Sequence, residues 1–342
     1  MERKYYQNLD ILRFFCAVYV CLFHYSWKND ELTSFFDSGW IGVQIFFIIS
    51  GIVISESITG RDLRGFVKSR IIRIYPTLVV CTLTNSILYL LYHGDFSKSF
   101  SLSINSIILF VDSDYIASAY WTLPVEISFY TLIAIIFFKQ NINAKNYIFM
   151  LGLVSGAYNL CNYLGLQTEL YDIYFETGLA NITLLRHGIY FSIGFFMAEF
   201  LRSGKGISLV LIFSLLSIIE ILDRSLRIST HAESSPLSIF LVSVFVFTSG
   251  LLFLVKLSNH CYRSPRLSKL LRLLGLITFP LYLLHENIGS LVISSVVKIT
   301  DIQFIILALP VLCSIFIAYL CLNIEKYLRR NIILVSRLRS IS

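Results

Sequence analysis

Long apolar runs, separated by short polar segments, constrain the fold of this chain more than any other feature of its sequence. Runs of roughly 17–22 residues are long enough to cross a hydrocarbon core of about 30 Å as helices. We therefore predict an all-α integral membrane protein with about ten transmembrane helices, forming a single membrane domain over residues 1–342. The predicted spans are 9–27, 39–57, 74–92, 120–138, 146–165, 181–201, 207–222, 236–256, 273–296 and 303–324.

Composition agrees with this class, because 56% of the residues are hydrophobic, only 14% are charged and the mean hydropathy is +0.74. A net charge of +7 would suggest a nucleic-acid partner in a soluble protein. Here the basic residues lie in short segments between apolar runs, which is typical of membrane topology signals. The interpretation is a lipid bilayer partner and no nucleic acid.

The distribution of Lys and Arg predicts the orientation. With the N-terminus inside, cytoplasmic segments hold 21 of the 28 basic residues, outer segments hold five, and Arg13 and Arg186 lie within predicted spans. Positively charged segments stay in the cytoplasm, so both termini are predicted to be cytoplasmic in a multi-pass inner (plasma) membrane protein. The run 101–111 is too short to span and is predicted to form an interfacial or re-entrant piece of an outer segment.

The first predicted span contains Arg13 and His24, which are costly in lipid. Their separation of 11 residues is close to three helical turns, so they share a face about 16 Å apart. Each could snorkel to its nearer interface, but two on one face favour a polar internal path. Glu126 lies about one turn inside its span, at a depth similar to His24. A carboxylate there could orient the imidazole of a general base, or could form a structural ion pair.

Other polar residues in or beside the spans are further candidates, each with a structural alternative. Ser50 and Gly51 could reflect close helix packing. Arg70 and Arg73 lie one turn apart, in a predicted cytoplasmic loop that follows the second span. They are able to clamp phosphates or to act only as topology anchors. His285 could be a satisfied bundle residue, and Tyr120 and Trp121 could be interfacial aromatics.

Neither metal chemistry nor disulfide bonding is indicated. The seven cysteines are scattered, mostly within apolar runs, and no Cys or His cluster has the spacing of a metal site. No GxSxG segment offers a serine nucleophile.

Five segments in order resemble the acyltransferase-3 family of membrane acyltransferases, and together they extend over most of the chain. They are Arg13 with His24 (R-x10-H), the FFxxSG stretch Phe46 to Gly51, the R-x-x-R pair Arg70 and Arg73 before Tyr75-Pro76, the YWTLPVE segment Tyr120 to Glu126, and the TFPLYLLH segment Thr278 to His285.

The resemblance implies transfer of an acyl group, usually acetyl from cytoplasmic acetyl-CoA as co-substrate, to a hydroxyl of a carbohydrate acceptor. In bacterial members the acceptor is O-antigen, exopolysaccharide, peptidoglycan or a lipid-linked sugar. His24 is then the catalytic base or acyl relay, and Glu126 and Arg13 are assigned to catalysis with it. Arg13 also serves CoA together with Arg70 and Arg73, and Ser50 and Gly51 are assigned to CoA binding. Tyr120, Trp121 and His285 are assigned to the acceptor. Thr122 stands where many relatives have serine, and no fused hydrolase-like domain accompanies the membrane core.

Two other classes of membrane protein need polar groups inside helices. A proton-coupled transporter would use them for ion coupling, although no inverted repeat or pair of broken helices is visible. A polysaccharide flippase or polymerase would share the sugar context without needing a basic CoA-binding face. The sequence leaves open the acyl group, the acceptor hydroxyl and whether copies form a homo-oligomer.

Overall fold

The structure is a computed structural model that describes residues 7–26, 36–58, 62–111, 114–138, 144–166, 179–230, 234–257, 264–300 and 302–338. Every regular element in these ranges is helical, and a 3-10 turn, Ser118–Trp121, precedes the fifth long helix. Besides a four-residue helix, Leu179–Ile182, the described helices are α1 Gln7–Ser26, α2 Ile41–Ile58, α3 Leu63–His93, α4 Phe96–Ile108, α5 Thr122–Phe138, α6 Ala144–Tyr163, α7 Gly188–Ser203, α8 Ile207–Ser229, α9 Pro236–Leu257, α10 Pro265–Val296 and α11 Gln303–Leu338.

A long helix coincides with each predicted span, but several helices extend beyond it. The predicted loop containing Arg70 and Arg73 is instead the first part of α3, because Asp62 caps the helix by accepting a hydrogen bond from the Gly65 amide at 3.2 Å. Ser264 and Pro265 likewise start α10 eight residues before the predicted span of 273–296. Apolar length therefore locates a helix, whereas capping residues set its ends.

Among the residues that the structure describes, seven helices are long and apolar enough to cross a membrane, namely α1, α2, α3, α5, α9, α10 and α11. Helix α7 has only 16 residues, and α8 carries Glu220, Asp223 and Arg224 in its second half. The surface is strongly apolar, with Phe245 and Phe316 exposed to 67% and 62%. Because large apolar side chains at such exposure are unfavourable in water, lipid is their natural surrounding. The protein is a multi-pass membrane protein.

Helix α4 occupies the place of the predicted interfacial or re-entrant piece. Its packed side is rich in serine, and Ser99 and Ser86 on α3 are joined by a hydroxyl–hydroxyl hydrogen bond of 2.8 Å. Phe96, Phe100 and Ile108 lie on the opposite, exposed side. A 13-residue helix that turns its apolar side outward is suited to lie against lipid without spanning it.

Glycines bring two pairs of helices into close parallel contact. A Cβ atom at Gly275 of α10 would lie 2.3 Å from Asp10 Cγ on α1, and one at Gly289 would lie 2.0 Å from the Tyr25 ring. Between α2 and α7, a Cβ at Gly194 would lie 2.0 Å from the Ile48 carbonyl oxygen. The absence of side chains at these points lets the backbones approach.

These contacts also define the direction of each helix relative to α1, which runs from an Arg13 end to a His24 end of the bundle. Gly39, just before α2, approaches Phe23 near the His24 end, and Gly42 approaches Cys16 in the middle of α1, so α2 returns towards the Arg13 end. The other long helices continue this alternation. Contacts show that α6 and α7 are antiparallel (Lys145–Glu199 and Ile148–Ser192), as are α7 and α8 (Tyr190–Glu220 and Phe196–Phe213) and α3 and α11 (Thr84–Cys321 and Arg73–Arg329). Helices α2 and α9 are parallel (Ser38–Ile239 and Ile45–Gly250).

Candidate active site

Two histidines and a glutamate meet where the C-terminal end of α1 packs on the middle of α10. His24 Nε2 lies 3.7 Å from Glu286 Oε1, and the His24 and His285 ring centroids are 5.0 Å apart. The His24 side chain is 36% exposed, whereas His285 is fully buried. His24 is therefore the histidine that a molecule arriving at this end of the bundle would meet first.

The residues behind His24 are held in fixed positions. Ser118, in the turn before α5, donates from its amide to Glu286 Oε2 and from its hydroxyl to Oε1, both at 2.5 Å. Tyr25 donates to the His285 carbonyl at 2.9 Å, and His285 Nδ1 lies 2.7 Å from the Tyr282 carbonyl. A carbonyl only accepts, so Nδ1 carries the proton and His285 Nε2 presents a lone pair. Glu286 can thus stabilise a proton gained by His24.

A cavity of about 110 Å³ lies towards the Arg13 end of the same helix pair. Arg13 and Arg73 contribute its positive charge, and Ser50 and Glu126 contribute its other polar groups. Arg13 Nη1 is 3.6 Å from Asp10 Oδ1, while its buried Nη2 has no hydrogen-bond partner among the described residues. The opposite wall reaches Tyr282, whose ring centroid is 5.8 Å from that of His285.

The expected pairing of Glu126 with His24 is wrong. Glu126 Oε1 accepts hydrogen bonds from Ser50 Oγ at 2.5 Å and from the Tyr130 hydroxyl, and it lines the cavity that Arg13 and Arg73 share. Counting residues from the span boundary misjudged its depth, because α5 follows a 3-10 turn and starts inside the bundle. The carboxylate beside His24 is Glu286, which lies far along the chain and was not singled out.

Arg70 and Arg73 do not share one cavity. Arg73 lines the cavity with Arg13, and its carbonyl accepts from Arg329 at 3.1 Å. The Arg70 guanidinium lies 5.6 Å from the centroids of both Phe66 and Tyr130, in a neighbouring groove on the outside of α3 and α5. Arg70 and Arg73 are one helical turn apart, as expected. Their side chains nevertheless differ enough in direction around the helix axis to enter different spaces.

The structure also gives the surroundings of three residues that were expected to bind CoA or the acceptor, namely Gly51, Tyr120 and Trp121. Gly51 packs on α7, where an added Cβ would lie 2.4 Å from the Phe191 carbonyl oxygen. Tyr120 is fully buried, and its hydroxyl accepts from Thr82 and Asn85, each at 3.3 Å. Close helix packing, the alternative given for Gly51, therefore accounts for that residue, whereas Tyr120 is a buried residue of the bundle and not an interfacial aromatic. Trp121 is half-buried, with its ring centroid 5.2 Å from that of His187.

A second polar cluster near the His24 end was not predicted. Arg186, in the turn before α7 and not in a helix, lies 3.8 Å from Glu220 on α8. Arg224, expected in an outer loop, belongs to α8, and its guanidinium lies over the Trp40 ring at 5.3 Å. The predicted span ended at residue 222 because the charges that follow resemble a loop.

His24, His285 and Glu286 also form the set of described residues that offers ligand atoms to a metal ion. Those atoms lie up to 4.8 Å apart. Ligands at zinc bond lengths of about 2.1 Å are only about 3.4 Å apart, so the side chains would have to close up around an ion. Sequence spacing could not reveal this set, because its members lie on α1 and α10. As placed, the cluster suits proton transfer better than metal binding.

Two comparisons with known proteins match most of this chain. The family model described as "Acyltransferase domain" matches residues 6–323. The peptidoglycan O-acetyltransferase OatA of Listeria monocytogenes is 25% identical in an alignment of 379 residues, which covers 96% of this chain and 57% of the relative. The chain thus spans a little over half the length of that relative. No solved structure matches the chain.

Proposed function

Since the chain belongs to the acyltransferase-3 family, we propose that it is a membrane O-acyltransferase acting between two sides of a bilayer. It moves an acyl group, most simply acetyl from cytoplasmic acetyl-CoA, to a hydroxyl of a cell-surface polysaccharide or lipid-linked sugar. One observation carries the proposal: the parallel pair α1 and α10 holds an imidazole–carboxylate pair at one end and an arginine-lined cavity towards the other.

The cavity is the proposed site for the thioester end of the donor. CoA is polyanionic, and Arg13 and Arg73 are positive groups whose donors face the cavity or its edge. Arg70 on α3 and Arg329 on α11 lie at the same end of the bundle and would meet the CoA phosphates. The acyl group would then extend past Tyr282 towards His285 and His24. The ring centroids along this route are 5.8 Å apart from Tyr282 to His285 and 5.0 Å apart from His285 to His24.

The chemical step follows from the His24 cluster. His24 takes the proton of the acceptor hydroxyl as its oxygen attacks the thioester carbonyl carbon. The C–O bond forms, the C–S bond breaks, and the CoA thiolate leaves and recovers the proton from the imidazolium. Glu286 stabilises the positive charge on His24 during this step, as Asp does in a catalytic triad. The exposed edge of His24 is where the acceptor hydroxyl would arrive.

The proposed topology places the Arg13 end in the cytoplasm of a cell with the chain in its inner membrane. Ten crossings with both termini inside are supported by the alternating helix directions and by the basic residues at the Arg13 end. Helices α6, α7 and α8 cross in this proposal although they are shorter or more polar, because they pack on one another through Ser155, Tyr190 and Glu220.

Purified protein in nanodiscs tests the proposal. Radiolabelled acetyl-CoA and a panel of glycans extracted from the cell surface are supplied, and labelled ester is measured. The wild type should acetylate a glycan, and His24→Ala should reduce the rate by roughly a hundredfold or more, the usual contribution of a general base. His93→Ala, an exposed histidine at the end of α3, is the matched control and should keep the wild-type rate.

Three results would count against the proposal. Acetyl transfer by His24→Ala at the wild-type rate would remove the base from the mechanism. Proton-coupled solute uptake without any dependence on CoA would identify a transporter, and glycan movement or chain growth without acylation would identify a flippase or polymerase.

A further inference from the structure

The second polar cluster near the His24 end contains more positive than negative charge. Its one glutamate, Glu220, is already engaged by three partners: Arg186 at 3.8 Å, the Tyr190 hydroxyl at 2.5 Å and Gln44 Nε2 at 3.4 Å. Glu220 is 2% exposed, so water contributes little to its surroundings. It therefore balances one arginine, and a second arginine beside it needs another anion.

Arg224 is that second arginine. It makes no ion pair within the described ranges, and its buried Nε has no hydrogen-bond partner there. Its guanidinium lies 5.3 Å from the centroid of the Trp40 ring. The neighbouring acid, Asp223, instead binds Arg227 at 2.9 Å and Asn162 at 3.0 Å. Glu220 and Asp223 act on Arg224 only from beyond ion-pair distance, and a guanidinium without a close counter-ion is costly in a low-dielectric interior, which makes an external anion favourable there.

A second group with an unused polar atom lies nearby. His187 is 1% exposed, and its Nδ1 has no hydrogen-bond partner among the described residues. Its ring centroid is 5.1 Å from Phe47, which lines the donor cavity, and 5.2 Å from Trp121. His187, His24 and Tyr282 all lie within electrostatic range of Arg224. Arg224 and His187 thus lie near both the donor cavity and His24.

We propose that Arg224 recognises an anionic group on the acceptor, so that the enzyme acylates acidic sugars in preference to neutral ones. The proposal rests on the proposed function and adds the acceptor class to it. Carboxylates and phosphates both match a guanidinium, which can donate two parallel hydrogen bonds to either. Bound in this way, the anion would set the register of the sugar, and a hydroxyl nearby would reach His24.

The test compares three acceptors that differ only at C6, which carries a hydroxymethyl group, a carboxylate or a phosphorylated hydroxymethyl group: methyl glucoside, methyl glucuronide and methyl glucoside 6-phosphate. For each, kcat/KM is measured with acetyl-CoA in nanodiscs. A hydrogen-bonded charged group contributes enough for a preference of about tenfold to a hundredfold. The wild type should show that preference for one or both acidic acceptors, and which of them is preferred distinguishes carboxylate from phosphate recognition.

Variants assign the preference to one side chain. Arg224→Gln should bring kcat/KM for the acidic acceptor close to that for the neutral one, mainly through KM, and Arg224→Lys should recover part of the preference. Arg227→Gln is the matched control on the same helix, since Arg227 is 46% exposed and already paired with Asp223. An unchanged preference in Arg224→Gln, or its loss in Arg227→Gln to the same extent, would overturn the assignment.

A competition measurement on the wild type covers the case in which Arg224→Gln does not fold. Fully O-methylated methyl glucuronic acid keeps the carboxylate but has no hydroxyl to acylate, so it should inhibit at a concentration at least about tenfold lower than fully O-methylated methyl glucoside. Equal inhibition would refute the anion subsite. Transfer without charge preference refutes the subsite alone, whereas no transfer to any acceptor would refute the proposed function.

Discussion

At the scale of single residues, the pairing of His24 with Glu286 predicts different effects for two buried glutamates. Glu286→Gln should lower kcat strongly, by roughly tenfold to a thousandfold, because the amide cannot stabilise a charged imidazole. Glu126→Gln should act mainly on KM for acetyl-CoA, since Glu126 lies with Ser50 in the donor cavity. Steady-state kinetics of both variants, varying donor and acceptor separately, measure this division. A larger fall in kcat for Glu126→Gln than for Glu286→Gln would contradict the assignment.

Arg73 makes a second prediction at this scale. Its replacement by Gln should raise KM for acetyl-CoA by about tenfold with less effect on KM for the acceptor, because one charge-assisted contact to a phosphate or carbonyl is removed. Arg202→Gln provides the control, since Arg202 lies at the same end of the bundle but pairs with Glu56 at 3.6 Å. If both variants changed KM for acetyl-CoA equally, net positive charge and not a specific contact would explain donor binding.

Residues of the site could be recognised from their spacing in the sequence only where they lie on the same helix. Arg13 and His24 lie on α1 and were found by their spacing, as were Arg70 and Arg73 on α3. Glu286 was missed because its partner is on α1, and no local pattern links positions so far apart. The sequence did contain one signal for Glu286. An acidic residue next to a histidine within an apolar run is energetically costly in a membrane and needs an explanation.

At the scale of helices, the Gly194 crossing predicts a selective loss of stability. Gly194→Ala places a Cβ 2.0 Å from the Ile48 carbonyl oxygen, so α2 and α7 must separate at a cost of about 1–3 kcal/mol. Gly156→Ala is the control, because its Cβ would be 3.5 Å from Leu216, an ordinary contact. Thermal unfolding in detergent measures both variants. A Gly194→Ala midpoint equal to that of Gly156→Ala would show that the helices are not packed this closely.

Helix positions followed from apolar length, whereas helix ends and pairings did not. The basic starts of α3 and α10 are helical because Asp62 and Ser264 cap them, and the charged end of α8 is helical because Arg224 packs on Trp40. Hydropathy treats each of these segments as a loop. The parallel contact of α1 with α10 depends on glycines that approach residues over 260 positions away, which a single sequence does not reveal.

For the whole molecule, the proposed ten crossings predict the side of each connecting segment. Single cysteines replacing Lys145, Lys205 or Ser264 in a cysteine-free background should react with an impermeant maleimide only after the membrane is opened. Cysteines replacing Gly165, Thr230 or Lys298 should react in intact cells. The pairs 145 with 165 and 205 with 230 test α6 and α8 directly. If both members of a pair reacted from the same side, the helix between them would not cross the membrane.

Acyl transfer from one side of a membrane to the other is the central claim, and a sided proteoliposome assay measures it most directly. Acetyl-CoA and an acceptor glycan are placed in opposite compartments, or together in either one, and acetylated glycan is quantified. Because α1 and α10 carry the donor cavity and His24 at different depths, we expect product only when donor and acceptor are separated by the membrane, and none with His24→Ala. Equal transfer with both substrates in one compartment would contradict the account.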